Sequence, residues 1–207
     1  MAKAQGTSEG ILSYVGTTIP EAFGPIEAFI PGTVGWTFKP LTSISVTALG
    51  GFAYNLPSGS TCIGLWASGG TLLASNTVTS SSTLIDQSFY EAITPVALTQ
   101  NQTYYLGEFS TLGPIESVVV DPGDGAPFGY AITDPEIQLG NVAYEANSDF
   151  GFPSVVDGSP NSAIIAPNFE FQPVPEPSTI WLVYAGLLVF SARRHFSPDS
   201  ASKFLQF

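Results

Sequence analysis

Residues 62–75 read CIGLWASGGTLLAS and predict a β-hairpin. The apolar run Cys62–Trp66 is followed, after Ala67–Gly70, by a second run, Thr71–Ser75. Glycines in a short connection between two such runs supply the positive φ angles that a tight hairpin requires. The segment therefore indicates two antiparallel strands joined by a turn.

The same strand signal recurs on both sides of the hairpin. Small polar and apolar residues alternate in Ser43–Ala48, and Trp36 and Phe38 lie on one face of a short run. Further strands are expected at Gln87–Ala92, Pro95–Leu98, Thr103–Phe109, Ile115–Val120 and Pro167–Phe171. No helix alternates with these strands, so the pattern predicts an all-β, antiparallel β-sandwich of the jelly-roll or immunoglobulin-like type.

Charge is scarce and one-sided in this chain. Only 11% of its 207 residues are charged, and the formal net charge is −12. Lys39 is the only base between Gln5 and Glu170, a stretch that holds fifteen Asp and Glu. Such a surface offers no cluster of cations to replace the counterions of a nucleic acid, so no nucleic-acid partner is expected. The single cysteine, Cys62, has no disulfide partner and is expected to be a small core residue.

Few groups in the sequence are suited to catalysis. The only histidine is His195, so the region before the C-terminal segment has no Ser-His-Asp or Cys-His arrangement and no histidine-rich metal site. The many acids include pairs of the kind that hydrolyse glycosidic bonds, but the sequence singles out none of them. We expect no catalytic residue and no cofactor, and a secreted glycan hydrolase is the less favoured alternative.

Two further features have both a functional and a plain interpretation. The loop Asp121–Gly125 offers carboxylates to a calcium ion, but it lacks the full ligand series, and a solvated turn is favoured. Several aromatic side chains offer surfaces for stacking on sugars, with core packing as the default for the two tryptophans. On a regular strand one of two consecutive tyrosines must face outward. These aromatic residues are Trp36, Trp66, Tyr54, Tyr90, Tyr104 and Tyr105.

The C-terminal region has three parts in a fixed order. A proline-rich spacer, Gln172–Pro177, leads through Ser178 and Thr179 into the uncharged, apolar run Ile180–Ala192. As a helix this run would span about 20 Å, which is short of a bilayer core of about 30 Å. Arg193 and Arg194 follow at once, and they fit a cytoplasmic stop at the end of a membrane segment.

Val174, Pro175, Glu176, Pro177 and Ser178, with the apolar run and the two arginines, resemble the PEP-CTERM sorting signal of Gram-negative bacteria. The resemblance covers Pro173–Arg194. It implies export by the general secretory route, transient membrane retention through one short hydrophobic helix, and processing near Pro175–Pro177 by an exosortase-type enzyme. It also implies association with exopolysaccharide and biofilm surfaces. The chain departs from the usual pattern because His195–Phe207 continues past the arginines.

The sandwich region also resembles a family of unknown function that recurs in secreted bacterial proteins. The residues that carry this resemblance are Gly35–Phe38, Val46–Gly50, Ile63–Trp66, Gly70–Ser75, Ile93–Leu98 and Thr103–Gly107, with Pro167–Phe171 as the closing strand. The resemblance implies the sandwich fold and transfers no active site.

These patterns predict four segments. Residues 1–32 hold a first strand and, by hypothesis, the remnant of a signal-peptide cleavage region at Ala2-Lys3-Ala4, with a chance match as the alternative. Residues 33–172 form the sandwich, residues 173–195 the sorting signal and residues 196–207 a tail. The sequence thus predicts an exported, non-enzymatic protein of the cell surface or exopolysaccharide matrix. A secreted carbohydrate-binding module is the alternative.

Overall fold

The computed structural model describes residues 12–15, 32–53, 59–110, 119–120, 129–132, 134–146, 149–160, 163–164 and 167–174. The chain divides into two compact units, Met1–Val174 and Pro175–Phe207, and every described residue belongs to the first. The strands are β1 (Leu12–Val15), β2 (Gly32–Pro40), β3 (Ile44–Phe52), β4 (Ser60–Ala67), β5 (Leu72–Thr79), β6 (Thr83–Ile85), β7 (Ser88–Leu98), β8 (Tyr104–Ser110), β9 (Val119–Val120), β10 (Gly129–Ile132), β11 (Ile137–Ala146), β12 (Val155–Pro160), β13 (Ala163–Ile164) and β14 (Pro167–Pro173).

The strands form two main antiparallel sheets. The six-stranded sheet has the order β12-β11-β2-β8-β4-β5, and the four-stranded sheet has the order β14-β3-β7-β6. Two small pairs, β1 with β10 and β9 with β13, complete the described strands. The prediction of an antiparallel, sandwich-like all-β fold is confirmed.

The core lies between the two main sheets. Trp36 and Phe38 on β2 are fully buried, and the ring of Phe38 lies 4.8 Å, centroid to centroid, from Phe169 on β14. The indole Nε1 of Trp36 donates a hydrogen bond to the carbonyl oxygen of Pro167 at 3.0 Å. This bond satisfies a buried polar group and joins the two sheets at the largest side chain of the core.

The hairpin predicted at residues 62–75 is present as β4 and β5. The N–H of Ala67 donates to the carbonyl oxygen of Thr71 at 3.0 Å, and Gly70 adopts a φ of +82°. Cys62 corrects one expectation, because it is half-buried on the outer face of the sheet and not in the core. Its neighbour Ile63 faces the core, and strand geometry sends consecutive side chains to opposite faces.

The strands expected at Gln87–Ala92 and Pro95–Leu98 form one strand, β7. In its pairing with β3, Val46 lies opposite Val96 and Ala48 lies opposite Ala92. Three residues of β7 therefore face Thr47, and this bulge contains Pro95, whose nitrogen has no hydrogen to donate to a ladder. The prediction of two separate strands, Gln87–Ala92 and Pro95–Leu98, was wrong, since the bulge joins them into one.

The four-stranded sheet ends at its edge strand, β14. The N–H of Val174, directly after β14, donates to the carbonyl oxygen of Ser43 at 2.9 Å. Of the strand expected at Ile115–Val120, only β9 falls within the described residues. In the part of the chain that the structure describes, no helix has the length and apolar character needed to cross a membrane.

Candidate functional site

The outer face of the six-stranded sheet carries a row of glycines. In the strand register, Gly107 on β8 lies opposite both Gly35 on β2 and Gly64 on β4. A Cβ at Gly64 would overlap the Trp66 ring and lie 2.6 Å from the Phe150 ring. The row therefore forms a trough that accommodates the indole of Trp66, which is 3% exposed.

A segment after β11 covers this trough. The ring of Phe150 lies 5.2 Å from the ring of Trp66, and the ring of Phe152 lies 4.8 Å from that of Tyr105. The N–H of Gly151 donates to Oγ1 of Thr33 at 3.1 Å, which fixes the segment to the sheet. The outer face thus has a second apolar layer, and Tyr105 stands at its margin.

Next to this layer, β11 bulges away from β2. The pairing shifts between Leu139 and Val142, which leaves Gly140 and Asn141 out of the regular register. Thr37 on β2 holds the bulge in place, because its Oγ1 accepts a hydrogen bond from the N–H of Asn141 at 2.8 Å. A Cβ at Gly140 would overlap Oγ1 of Thr37 and lie 2.9 Å from its backbone oxygen, so only glycine fits there.

A cavity of about 380 Å³ lies beside the bulge, and we call it the β11 cavity. Ligand pockets in proteins span roughly 300–1,000 Å³, so its size suits a small group or one unit of a polymer. Lys39 and Gln138 in its wall are direct cross-strand partners. The cavity is lined by Thr37, Phe38, Lys39, Thr103, Tyr105, Gln138, Leu139, Gly140, Asn141 and Val156.

The electrostatics of the β11 cavity differ from those of the chain as a whole. Its lining includes Lys39, the only base between Gln5 and Glu170, and contains no Asp or Glu. The side chain of Lys39 is exposed. Lys39 is thus the charged side chain of this lining, and it can pair with an anionic group that enters the cavity.

The structure separates the aromatic candidates. Trp36, Trp66, Tyr90 and Tyr104 are all buried, and burial raises the pKa of the Tyr90 hydroxyl. The hydroxyl oxygen of Tyr104 accepts a hydrogen bond from the N–H of Thr99 at 2.9 Å. Tyr105 is half-buried and lines the β11 cavity, which confirms that one of the two consecutive tyrosines faces outward. Tyr54 lies outside the described residues.

The sequence analysis did not identify the buried acid of the core, Glu108 on β8. Its side chain is 2% exposed and points between the sheets, where Val34 and Ile63 are its register neighbours. Burial raises its pKa to about 7, while a hydrogen bond with the Thr61 hydroxyl acts in the opposite direction. Among the described residues no group donates to or accepts from its Oε2.

A proton on Glu108 allows each hydroxyl hydrogen of the Glu108–Thr61 pair to find an acceptor. The hydroxyl of Thr61 has one hydrogen, and its Oγ1 lies 2.8 Å from the carbonyl oxygen of Phe109. A protonated Glu108 can donate to Oγ1 while Thr61 donates to Phe109, so every hydrogen is used. An ionised Glu108 would compete with Phe109 for that hydrogen, and the core therefore favours the neutral acid.

The remaining predicted site residues fall mostly outside the described part. The structure does not describe four residues of the sorting motif, the two arginines or the calcium candidate Asp121–Gly125. The four motif residues are Pro175, Glu176, Pro177 and Ser178. Val174 is described and exposed. Within the ranges that the structure describes, no three His, Cys, Asp or Glu residues come together in a group that could hold a metal.

In the sequence, the sandwich-like domain is followed by a proline-rich C-terminal segment that has a family match of its own. Comparison with protein families matches the PEP-CTERM protein-sorting motif to residues 173–194. The chain is therefore an exported protein that is sorted by an exosortase, with a transient membrane-associated step. The resemblance seen at Pro173–Arg194 is confirmed.

The domain itself matches the Domain of unknown function (DUF4082) over residues 25–157, which is more than half of the chain. The chain belongs to this family. The match confirms the resemblance of the sandwich region to a family of unknown function. No curated protein matches the chain.

Proposed function

We propose that this chain is a non-enzymatic protein of the bacterial cell surface or exopolysaccharide matrix. The observation that carries the proposal is the C-terminal signal, in which the Pro-Glu-Pro motif, the apolar run and the two arginines stand in order within residues 173–194. A signal of this kind places its domain outside the cytoplasm, and a matrix of polysaccharide is the medium that an exported, surface-delivered domain meets there.

The composition of the domain supports a structural or binding role over catalysis. The sequence before the signal holds no histidine, and its single cysteine is half-buried with its thiol pKa raised by burial. A raised pKa disfavours the thiolate that nucleophilic catalysis requires. The chain's formal net charge of −12 favours its solubility at a crowded surface.

Deletion of Pro175–Pro177 tests delivery. The full-length chain, tagged near its N-terminus and expressed in a host with an exosortase, is expected in the surface fraction with the mass lost that corresponds to its C-terminal segment. Without the motif, the chain is expected to keep that mass and stay in the membrane fraction. Deletion of 205–207 is the matched control, because it also removes three residues but leaves the signal intact. Unchanged mass and location after loss of the motif would refute the sorting role.

Matrix residence has its own test. Digestion of the exopolysaccharide is expected to release the processed chain into the medium, and a strain without exopolysaccharide is expected to shed it during growth. Retention on cells under both conditions would contradict residence in the matrix. The purified chain is expected to release no reducing ends from the same polysaccharide, and a sustained release would favour the hydrolase alternative.

A further inference from the structure

We propose that the β11 cavity binds an anionic sugar unit of a polysaccharide, with the carboxylate of the sugar paired to the ammonium group of Lys39. This inference rests on the proposed function, because it assigns a ligand class to a protein of the matrix. It concerns the outer face of the six-stranded sheet and does not involve the sorting signal.

Charge selects an acidic sugar over a neutral one. Lys39 is part of the cavity wall, and no Asp or Glu shares that wall. The acids elsewhere on the chain act through solvent, where charges further apart than about 8 Å are largely screened at physiological salt. Glu136 lies outside the lining, next to Leu41, and its carboxylate accepts a hydrogen bond from the hydroxyl of Thr42. A carboxylate in the cavity can therefore contact the Lys39 ammonium directly, whereas a neutral group gains no charge pairing there.

Shape and polarity select a sugar over a simple anion. The half-buried ring of Tyr105 provides an apolar surface of the kind that packs against the C–H face of a pyranose. Thr103 and Gln138 line the same cavity and offer a hydroxyl and an amide to sugar hydroxyl groups. An inorganic anion would use the lysine and the polar donors, whereas a sugar acid uses the apolar ring of Tyr105 as well.

Contacts within the protein fix parts of the cavity wall in the absence of a ligand. Thr37 ties the bulge of β11 to β2 through the N–H of Asn141, and Phe152 packs on the ring of Tyr105. A pre-organised cavity loses little conformational entropy on binding, so a small contact area still yields measurable affinity. A second cavity of about 470 Å³, between Leu73–Asn76 and Ala92–Val96, has neither a charged side chain nor an aromatic ring in its lining.

The test uses two probes of one length and linkage, cellotetraose and the corresponding β-1,4-linked tetramer of glucuronate. They differ only in the group at C6. Titration calorimetry of the purified full-length chain is expected to show binding of the glucuronate tetramer and weaker binding of cellotetraose. Lys39→Met is expected to weaken glucuronate binding about fivefold, the most that one solvent-exposed ion pair contributes, and Lys39→Arg is expected to retain it.

A second variant reverses the local charge without changing the shape of the wall. Gln138 is exposed and lies directly opposite Lys39, so Gln138→Glu places a carboxylate where it pairs with the ammonium and repels the ligand. The expected result is that glucuronate binding weakens by more than cellotetraose binding does, because only the charged ligand is repelled, while loss of the amide affects both. Gln172→Glu on β14 is the matched control, since it makes the same change of charge on an exposed strand position of the other sheet.

Three results would overturn the inference. They are the absence of glucuronate binding at millimolar concentration, equal weakening by Gln138→Glu and Gln172→Glu, and binding that is indifferent to Lys39→Met. None of these variants touches the sorting signal, so failed binding with normal surface delivery rejects the sugar site alone. Failed delivery after loss of Pro175–Pro177, with binding intact, leaves the sugar site standing.

Discussion

Replacement of Glu108 by glutamine tests the buried acid of the core. Glutamine has nearly the same shape as a protonated glutamic acid and stays neutral at every pH. The substitution therefore keeps the packing against Val34 and Ile63 and removes only the ionisation. The parent chain carries a group whose pKa is about 7 in the fold and 4.5 in its ordinary, solvated state.

The sign of the effect follows from which state holds the proton. Between about pH 4.5 and pH 7, the folded chain keeps a proton on Glu108 that the unfolded chain has released. Rising pH therefore favours unfolding across this window, and the stabilisation is complete below the window and lost above it. With each pKa unit worth about 1.4 kcal/mol, the parent loses about 3 kcal/mol from this group on passing from acid to slightly alkaline pH.

Urea denaturation of the compact unit Met1–Val174, followed by tryptophan fluorescence at a series of pH values, measures this loss. The informative quantity is the difference between parent and Glu108→Gln, because other titrating groups and any constant cost of the amide cancel in its pH dependence. We expect the variant to gain about 3 kcal/mol relative to the parent between about pH 4 and pH 8. Glu91→Gln, at a less buried position on β7, is the control.

The result that would refute the reasoning is a difference between parent and Glu108→Gln that is constant with pH. It would mean that the fold leaves the pKa of Glu108 at its ordinary value, with the carboxylate as well solvated or paired as in the unfolded chain. A pH-dependent difference of the opposite sign would mean that the fold stabilises the carboxylate.

Three further predictions concern packing, each measured by urea denaturation of the same unit. Gly64→Ala is expected to lower the free energy of unfolding by about 1–3 kcal/mol, because its Cβ overlaps the Trp66 ring. The control is Gly69→Ala, which is expected to change that free energy by less than about 0.5 kcal/mol because no atom lies within 4 Å of its Cβ. Equal effects at the two glycines would contradict the trough. Trp36→Phe is expected to cost at least about 1–3 kcal/mol because it leaves the buried oxygen of Pro167 without its donor, and a neutral result would show that another donor replaces it. Phe152→Ala is expected to lower the free energy of unfolding by about 2 kcal/mol and to shift tryptophan emission to longer wavelength, because Trp66 becomes exposed to water. Unchanged emission would show that the segment around Phe152 does not shield Trp66.

Local signals predicted much of the fold. The hairpin at residues 62–75 and the shared face of Trp36 and Phe38 follow from turn chemistry and two-residue alternation, and both are present. The strand β11 was not predicted, because its bulge shifts the alternation. Buried Ile137 and Leu139 are followed by buried Val142 and Ala143, so no single face is apolar along its length.

The candidate site was less accessible to sequence reasoning. The sequence showed that Lys39 is an isolated base. It also showed that either Tyr104 or Tyr105 must face outward. Their place in one cavity depends on the pairing of Lys39 with Gln138, a contact between strands far apart in the chain. Glu108 stands in the apolar alternation of Tyr104 and Leu106, and that spacing is the signal by which a core acid could have been found.

The hydrogen bond from Val174 to Ser43 bears on the timing of maturation. Val174 is the last residue of the described range 167–174 and is hydrogen-bonded to the sheet. It is also directly followed by Pro175, Glu176 and Pro177 of the sorting motif. An enzyme that binds the backbone just before Pro175 would need residues of β14 that are hydrogen-bonded to β3. Binding to the enzyme and pairing with β3 therefore exclude each other. Before the domain folds, these residues are free to bind the enzyme. After folding, they become accessible only when the edge strand β14 separates from β3. We therefore expect processing to slow once the domain has folded, and we expect a Gly-Ser spacer inserted after Val174 to remove that dependence.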